Sequence, residues 1–209
     1  FIRDIGMWFS FFDGSLSGFG GRVNYLASLG FEQSESAMYQ DTEAHVLESD
    51  CIQLGYVDGE LKGFALYSAC VGSLAVELVG IAIDPRYQGN GFGGQLVADY
   101  VENKRPTYLT AYTRNPSTVG ILNRYNGTFP LNADKELELL AGSMNGAEFV
   151  DGVAYHVGRY GQEGLYGVSD PANRNLRGDN ISLKERFPEL SNPGSALVLA
   201  SKVIKESEA

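Results

Sequence analysis

Cysteine, histidine and long apolar runs are scarce in this 209-residue chain, and each shortage excludes a class of protein. The two cysteines, Cys51 and Cys70, stand alone without metal-ligand spacing, so the sequence predicts reduced thiols and leaves a single disulfide open. His45 is isolated in a polar stretch, and His156 has no Cys, Asp or Glu at ligand spacing, so we expect no metal. No apolar run reaches membrane-spanning length, and charges interrupt the aromatic N-terminus, which argues against a signal peptide.

Positive charge is also in short supply, with 16 Lys and Arg against 26 Asp and Glu and a formal net charge of −10. This balance argues against nucleic acid as a partner and is compatible with attraction of a cationic substrate such as an amine. With 44% hydrophobic residues the chain can bury one core. We therefore expect one domain in a cytoplasmic protein, monomeric or homodimeric, with neither nucleic acid nor a membrane as its partner.

Glycine, by contrast, is concentrated where a predicted strand passes into a predicted helix. Ile81 and Ile83 favour a strand, Asp84-Pro85 ends it, and apolar residues recur at helical spacing from Phe92 onward. The glycines between the two elements are Gly89, Gly91, Gly93 and Gly94. Backbone N–H groups at the start of a helix have no partner within the helix, so this loop is predicted to cradle phosphate oxygens.

Other interpretations of this glycine-rich loop compete with a phosphate cradle. The loop lacks the Gly-Lys-Ser/Thr ending of a nucleoside-triphosphate site. Gly89, Gly91 and Gly94 do satisfy the spacing of a dinucleotide fingerprint, which leaves a dinucleotide-binding oxidoreductase as a rival. That rival is weakened because no repeated strand–helix–strand half stands upstream and no acidic residue ends a strand about 20 residues downstream. A tight strand-to-helix turn without a ligand is the remaining alternative.

The segment Gln88-Gly89-Asn90-Gly91-Phe92-Gly93 fits the pattern Gln/Arg-x-x-Gly-x-Gly/Ala. It thereby resembles the acyl-CoA pyrophosphate loop of the GNAT superfamily of acetyl-CoA-dependent acyltransferases. The resemblance is good over about residues 51–129. It implies an α/β (α+β) fold with a mixed, splayed central sheet flanked by helices, in a single domain over 1–209 with its core at about 15–130. Residues at about 131–209 are expected to form a C-terminal α/β extension.

Local patterns predict the elements of this fold. Alternation on both sides of Asp58-Gly59 predicts a hairpin over 51–57 and 61–67, because Asp-Gly supplies the positive φ values of a two-residue turn. Helices are predicted over 21–29 with Gly30 as its cap, after the glycine-rich loop, over 116–126 with Gly127 as its end, and over 134–141. Strands are predicted over 74–83, 108–112, 153–157 and 196–200. Residues 33–50 are ambiguous, and 164–188 is predicted to be loop.

The resemblance also implies the contacts that acetyl-CoA makes as cosubstrate, with no metal involved. The amides of the loop are expected on the pyrophosphate, and they belong to Gln88, Gly89, Asn90, Gly91, Phe92, Gly93 and Gly94. The backbone of Ile81, Ala82 and Ile83 is expected to pair with the pantetheine amides like an extra strand. Asn115 matches the family's asparagine on the same arm.

Two side chains are candidates for catalysis. Some histone-acetylating members of the superfamily carry their general base eleven positions before the loop's glutamine, where this chain has Glu77. Strand alternation places Glu77 on a mostly apolar face, where burial raises the pKa of a carboxyl group. A solvated glutamate or a salt-bridge partner is the alternative. In the family the general acid is often a tyrosine about seven residues after the asparagine, where this chain has Leu122. Tyr125 is the nearby candidate, but it lies roughly 60° away from Leu122 on the helical wheel. Packing of the ring is therefore the alternative role of Tyr125.

Together these residues predict an N-acetyltransferase that moves an acetyl group from acetyl-CoA to a primary amine by direct attack in a ternary complex. The acceptor is a small-molecule amine or an amine of a peptide or protein. The alternative is a non-catalytic acyl-CoA or nucleotide-binding sensor module. An N-terminal aromatic cluster is expected to pack in the core or to wall the acceptor pocket, where its rings and the charge of Asp13 would hold an amine. Its members are Trp8, Phe9, Phe11, Phe12 and Phe19.

Overall fold

The structure, a computed structural model, describes residues 7–12, 20–70, 74–162 and 164–203, and for 7–12 it describes the backbone alone. The chain forms two compact units, one over 1–71 and 78–105 and the other over 72–77 and 106–209. The predicted single domain, with its core at about 15–130 and its extension at about 131–209, stays a prediction. No helix in the described ranges is long and apolar enough to cross a membrane.

The first unit contains an antiparallel hairpin with helices packed on it. Its elements are β1 (Met7–Phe12), α1 (Gly20–Phe31), α2 (Glu35–Glu48), β2 (Cys51–Val57), β3 (Glu60–Ala69), the later part of β4 (Ala75–Ile83), a 3₁₀ turn (Pro85–Tyr87) and α3 (Phe92–Lys104). Strand β2 pairs antiparallel with both β1 and β3. The predicted hairpin is confirmed, because Asp58 and Gly59 have φ values of 51° and 78°, as its two-residue turn requires.

Glycines inside the hairpin make room for the first residue of α3. A Cβ at Gly63 would lie 2.5 Å from Ile83 Cδ1 and 2.9 Å from Phe92 Cε1, and a Cβ at Gly55 would lie 2.8 Å from Phe92 Cζ. The Phe92 side chain is only 3% exposed. Because its ring fills the space that these glycines leave open, the start of α3 is fixed on the hairpin.

The second unit is a sheet centred on its last strand. Its elements after the start of β4 are β5 (Tyr108–Thr113), α4 (Pro116–Leu122), β6 (Asn126–Phe129), α5 (Lys135–Ser143), β7 (Glu148–Val150), β8 (Val153–His156), α6 (Leu183–Arg186) and β9 (Ala196–Lys202), with 3₁₀ turns at Pro171–Asn173 and Pro188–Ser191. The order is β5-β9-β8-β7, with β6 also paired to β9. The start of β4 runs parallel to β5, from Ala75 opposite Tyr108 to Glu77 opposite Thr110.

Most predicted elements are confirmed, but two predicted helix ends are wrong. The first helix continues through Gly30 to Phe31, and a Cβ at Gly30 would lie 3.3 Å from Ala82 Cβ, so this glycine permits a close approach instead of capping the helix. The helix predicted over 116–126 ends at Leu122, and residues 126–129 pair with β9. Long-range strand pairing therefore overrides local helix propensity there. The ambiguous stretch 33–50 contains α2. Residues 164–188 are irregular apart from the 3₁₀ turn at Pro171–Asn173, α6 and the start of the 3₁₀ turn at Pro188–Ser191.

Candidate active site

In the first unit the glycine-rich loop enters α3 through left-handed backbone. Gly89 and Gly91 have φ values of 76° and 85°, and a Cβ built on either would meet nothing within 4 Å. Gly91 is the N-cap of α3, and its carbonyl accepts the first helical hydrogen bond from Gln95 N–H at 3.0 Å. The first turn of the helix thus follows two glycines whose Cβ sites are open, and unpaired N–H groups at such a helix start can bind an anion.

Two side chains fasten this loop to the end of β4. Gln88 Nε2 donates to the Ile83 carbonyl at 2.9 Å. Asp84 caps the 3₁₀ turn by accepting from Arg86 N–H at 3.1 Å and from the Arg86 guanidinium at 2.6 Å. The hydrogen bonds from Arg86 lower the pKa of Asp84 below its ordinary value, although burial opposes them. The side chain of Gln88 therefore holds the loop against the strand.

In the second unit Glu77 makes an ion pair with Arg159, a partner that the sequence analysis did not name. Arg159 Nη2 lies 3.6 Å from Glu77 Oε1, and the two side chains are 30% and 19% exposed. The same guanidinium lies over the ring of Tyr112, with Cζ 4.6 Å from the ring centroid. The salt-bridge alternative for Glu77 is therefore present in the structure. It is compatible with a base, because the ionised carboxylate is the form that accepts a proton.

Arg159 sits in a tight turn that is held from three sides. Gly161 N–H donates to the Gly158 carbonyl at 3.1 Å, and Tyr160 N–H donates to the Gly194 carbonyl at 3.0 Å. The Tyr160 hydroxyl donates to the Tyr112 carbonyl at 3.2 Å, and burial raises the pKa of Tyr160 above its ordinary value, which keeps this donor protonated. The available sequence signal was an Arg-Tyr dipeptide between two glycines, directly after a predicted strand.

The fully buried Arg114 binds residues 190–195, the segment whose Gly194 carbonyl accepts from Tyr160 N–H. Its Nε and Nη2 donate to the Asp170 carboxylate at 2.9 and 2.5 Å. The remaining donors reach backbone carbonyls at 2.7–2.8 Å, those of Leu190, Asn192, Pro193 and Ser195. Burial raises the pKa of Asp170, but the hydrogen bonds from Arg114 and Ala172 N–H outweigh it, so the pKa lies below its ordinary value. All five donors of a guanidinium are thereby used.

Asn115, the predicted pantetheine contact, caps α4. Its Oδ1 accepts from Ser117 N–H at 2.9 Å and from Arg174 Nη2 at 3.4 Å. Asn115 also hydrogen-bonds Tyr166, whose pKa is raised to about 12 by burial. The side chain therefore has a structural role in fixing the start of α4, and its contact with a cofactor stays a prediction.

Tyr125 lies in the turn after α4 instead of on the helix. Its N–H donates to the Leu122 carbonyl at 3.1 Å, and burial raises the pKa of its hydroxyl while Arg124 lowers it. Helix α4 has seven residues and is about 10 Å long, which separates Tyr125 from Asn115 at the other end. Leu122, at the position of the family's acid, is fully buried. The structure does not bring Asn115 and Tyr125 together, and the role of Tyr125 stays a prediction.

The remaining candidates are described only in part. For the N-terminal cluster, the side chains of Trp8, Phe9, Phe11 and Phe12 and the whole of Asp13 and Phe19 lie outside the described residues. Cys51 and Cys70 are not joined in a disulfide. Among the residues that the structure describes, no group of three or more His, Cys, Asp or Glu side chains is arranged to hold a metal ion.

Comparison with known proteins relates residues 22–120 to one family. Residues 22–120 match the model of the acetyltransferase (GNAT) family. Similar solved structures include the Escherichia coli ribosomal-protein-S18-alanine N-acetyltransferase, with 13% identity over 96% of this chain and 97% of that one and a TM-score of 0.51. Aminoglycoside 6′-acetyltransferase type Ii has 13% identity over 96% and 99% and a TM-score of 0.50. A Bacillus subtilis acetyltransferase in complex with CoA has 13% identity over 95% and 99% and a TM-score of 0.48.

No protein with a curated description matches the chain significantly. The family match nevertheless places residues 22–120 in the acetyltransferase (GNAT) family, and it supports an acyltransferase enzyme. The predicted fold class, a mixed α/β fold with a splayed sheet flanked by helices, is confirmed. This membership favours the acyltransferase over the dinucleotide-binding and non-catalytic alternatives that the sequence left open.

Proposed function

We propose that this protein transfers the acetyl group of acetyl-CoA to a primary amine by direct attack in a ternary complex. The start of α3 carries the proposal, because it lies within the GNAT-matched residues and has the form of a pyrophosphate site. Two left-handed glycines, Gly89 and Gly91, leave open space over the first turn of the helix. A phosphate oxygen can approach such backbone without meeting a side chain.

The cofactor contacts follow from the same elements. Backbone amides from Gln88 to Gly94 bind the pyrophosphate at the positive end of the helix dipole. The backbone of β4 from Ile81 to Ile83 pairs with the pantetheine amides like an added strand. Because the Ile83 carbonyl already accepts from Gln88, this pairing is expected chiefly at Ile81 and Ala82. Asn115 supplies a further contact to the same arm.

Glu77 is the proton acceptor in this mechanism. It takes a proton from the acceptor ammonium, directly or through one water, and leaves a neutral amine. The amine nitrogen then forms a bond to the thioester carbonyl carbon and loses its second proton to solvent, and the carbon–sulfur bond breaks as the tetrahedral intermediate collapses. Tyr125 is the candidate acid that protonates the departing thiolate. If it does not act, the thiolate leaves unassisted, because a thiol is a good leaving group.

The acceptor is expected to be cationic, since the net charge of −10 attracts positively charged amines over long range. Two structural neighbours are a ribosomal-protein-S18-alanine N-acetyltransferase and an aminoglycoside 6′-acetyltransferase, so peptide and aminoglycoside amines both belong in a first screen. The expected cytoplasmic location and the monomeric or homodimeric state are part of the same proposal.

Thiol release from acetyl-CoA tests the proposal directly. The acceptors are spermidine, kanamycin, free lysine and a hexapeptide with an N-terminal alanine, and the control is the same hexapeptide with its N-terminus already acetylated. We expect CoA release above the hydrolysis rate with at least one free amine and none above it with the blocked peptide. Absence of release with every amine, together with no acetyl-CoA binding in calorimetry at millimolar concentration, would refute the proposed function.

A further inference from the structure

We propose that the segment 158–195 completes the active site by placing Arg159 against Glu77, so that Arg159 is a positioning residue for the base. The proposal rests on the proposed function, because it takes Glu77 as the proton acceptor. It assigns a task to a part of the chain that lies beyond the GNAT-matched residues 22–120.

The geometry of the pair suits positioning. Nη2 of Arg159 and Oε1 of Glu77 are 3.6 Å apart, which is within ion-pair range and longer than a hydrogen bond. The guanidinium therefore attracts and orients the carboxylate without itself taking a hydrogen-bonding position on that oxygen. Both side chains are largely shielded from solvent, so the attraction is screened less than between surface charges.

Arg159 is itself held in place by β5. Its guanidinium lies over the ring of Tyr112, with Cζ 4.6 Å from the centroid, in the arrangement that favours a cation on an aromatic face. The hydroxyl of Tyr112 donates to the Asn145 carbonyl at 2.6 Å, which fixes the ring. The guanidinium is thus set between a fixed ring and the carboxylate of Glu77.

A buried network fixes the backbone that carries Arg159. Tyr160 N–H binds the Gly194 carbonyl, and Arg114 binds the carbonyls on both sides of it, those of Pro193 and Ser195. A Cβ at Gly194 would overlap the Gly161 carbonyl, so only glycine allows these two turns to approach so closely. The buried Arg114 therefore acts on Arg159 through two backbone segments and holds its side chain near Glu77.

A double-mutant cycle separates positioning from other roles. The enzymes are wild type, Arg159→Met, Glu77→Gln and the double variant, assayed for CoA release with acetyl-CoA and the best acceptor of the screen. Arg159→Met is expected to lower kcat about tenfold or more, because a misplaced base loses its alignment, with little change in the KM for acetyl-CoA. In the Glu77→Gln background the same change is expected to cost less than about twofold, because the group that Arg159 positions is already absent.

Two further variants test whether the effect depends on the positive charge of Arg159 itself. Arg159→Lys keeps the charge and is expected to recover part of the kcat that Arg159→Met loses. Arg177→Met removes a positive charge from an exposed arginine in the same segment and is expected to leave kcat unchanged. If Arg159→Met does not fold, as judged by its melting curve, Arg159→Gln takes its place in the cycle.

Several outcomes overturn the proposal while leaving the proposed function intact. Arg159→Met with native kcat beside an inactive Glu77→Gln would show that the pair is only structural. A double variant whose loss equals the product of the two single losses would show that Arg159 acts independently of Glu77. A rise in the acceptor KM at unchanged kcat would assign Arg159 to acceptor binding. Failure of the wild-type enzyme to release CoA with any amine concerns the proposed function instead.

Discussion

Replacing Gly91 by valine tests whether the start of α3 binds the pyrophosphate of acetyl-CoA. Gly91 has a φ value of 85°, and no atom lies within 4 Å of a Cβ built on it. Valine at this position therefore strains the backbone, but its Cβ clashes with no other atom in the protein without ligand. A branched residue held in left-handed backbone costs about 1–3 kcal/mol. For a chain of this size that corresponds to a fall in Tm of roughly 2–12 °C.

The effect on binding is separate from this strain. The added methyl groups occupy the space through which phosphate oxygens reach the first-turn amides, so the Kd for acetyl-CoA should rise about tenfold or more, equivalent to at least about 1.4 kcal/mol. Isothermal titration at a temperature where the variant is fully folded measures this change. S-acetylpantetheine lacks the pyrophosphate, and its affinity should be unchanged by the substitution.

A matched control comes from Gly120, which lies in α4 with an exposed position and open space around its Cβ site. Gly120→Ala should leave both ligands' affinities unchanged and stabilise the helix by about 0.5–1 kcal/mol. Acetyl-CoA affinity that is unaltered in a folded Gly91→Val variant would place the phosphate site elsewhere. Equal weakening of acetyl-CoA and S-acetylpantetheine would show a general distortion instead of a lost phosphate contact.

Four further predictions concern single sites. Glu77→Gln should lower kcat/KM by roughly 10²–10⁴-fold with acetyl-CoA affinity unchanged in calorimetry, and near-native turnover would assign Glu77 to the scaffold. Tyr125→Phe should preserve kcat and cost only slight stability if its ring packs, whereas a fall in kcat of about tenfold or more at native Tm would identify it as the acid. Gly63→Ala should destabilise by about 1–3 kcal/mol in denaturant unfolding, because its Cβ would lie 2.5 Å from Ile83 Cδ1; an unchanged midpoint would contradict this packing. Because the pKa of Asp170 is lowered in the folded state, its carboxylate stabilises the fold at pH values above the pKa of an unfolded aspartate, about 4, and this stability is lost as the pH falls through the lower folded pKa. In a plot of Tm against pH, Asp170→Asn should therefore reduce the fall in Tm at acidic pH. An unchanged fall would refute the assignment.

The parts of the fold that the sequence predicts depend on neighbouring residues. The hairpin at Asp58-Gly59 and the passage from strand through the glycine-rich loop into a helix each follow from the conformations that a few adjacent residues allow. Where a distant partner competes, the local pattern fails. Residues 123–126 continue the apparent helix of α4, yet Asn126 pairs with Lys202 and the chain leaves the helix after Leu122.

The candidate site also has one part that depends on neighbouring residues and one part that depends on distant residues. The phosphate loop is local, so its glycines are visible as a motif, and their positive φ values follow from the residue type. The surroundings of Glu77 are not local, because its partner Arg159 stands far along the chain. With 26 acidic and 16 basic side chains, charge alone cannot select that pair from the many combinations available. Glu77 and Arg159 meet only because β4 is in register with β5 and the turn after β8 is held against the second unit's other segments. Both arrangements depend on tertiary contacts.

The hydrogen bonds of Arg114 explain why the position of Arg159 is nevertheless well defined in the folded chain. A buried guanidinium must satisfy its donors, since a charge left without partners in the interior is strongly destabilising. Its acceptors are one carboxylate and several backbone carbonyls between Leu190 and Ser195, and their positions depend on the path of the chain rather than on side-chain identity. Satisfying Arg114 therefore fixes the path around Gly194, which in turn receives Tyr160 N–H. The requirement of one buried charge thereby sets the position of another arginine, the partly exposed Arg159, next to Glu77.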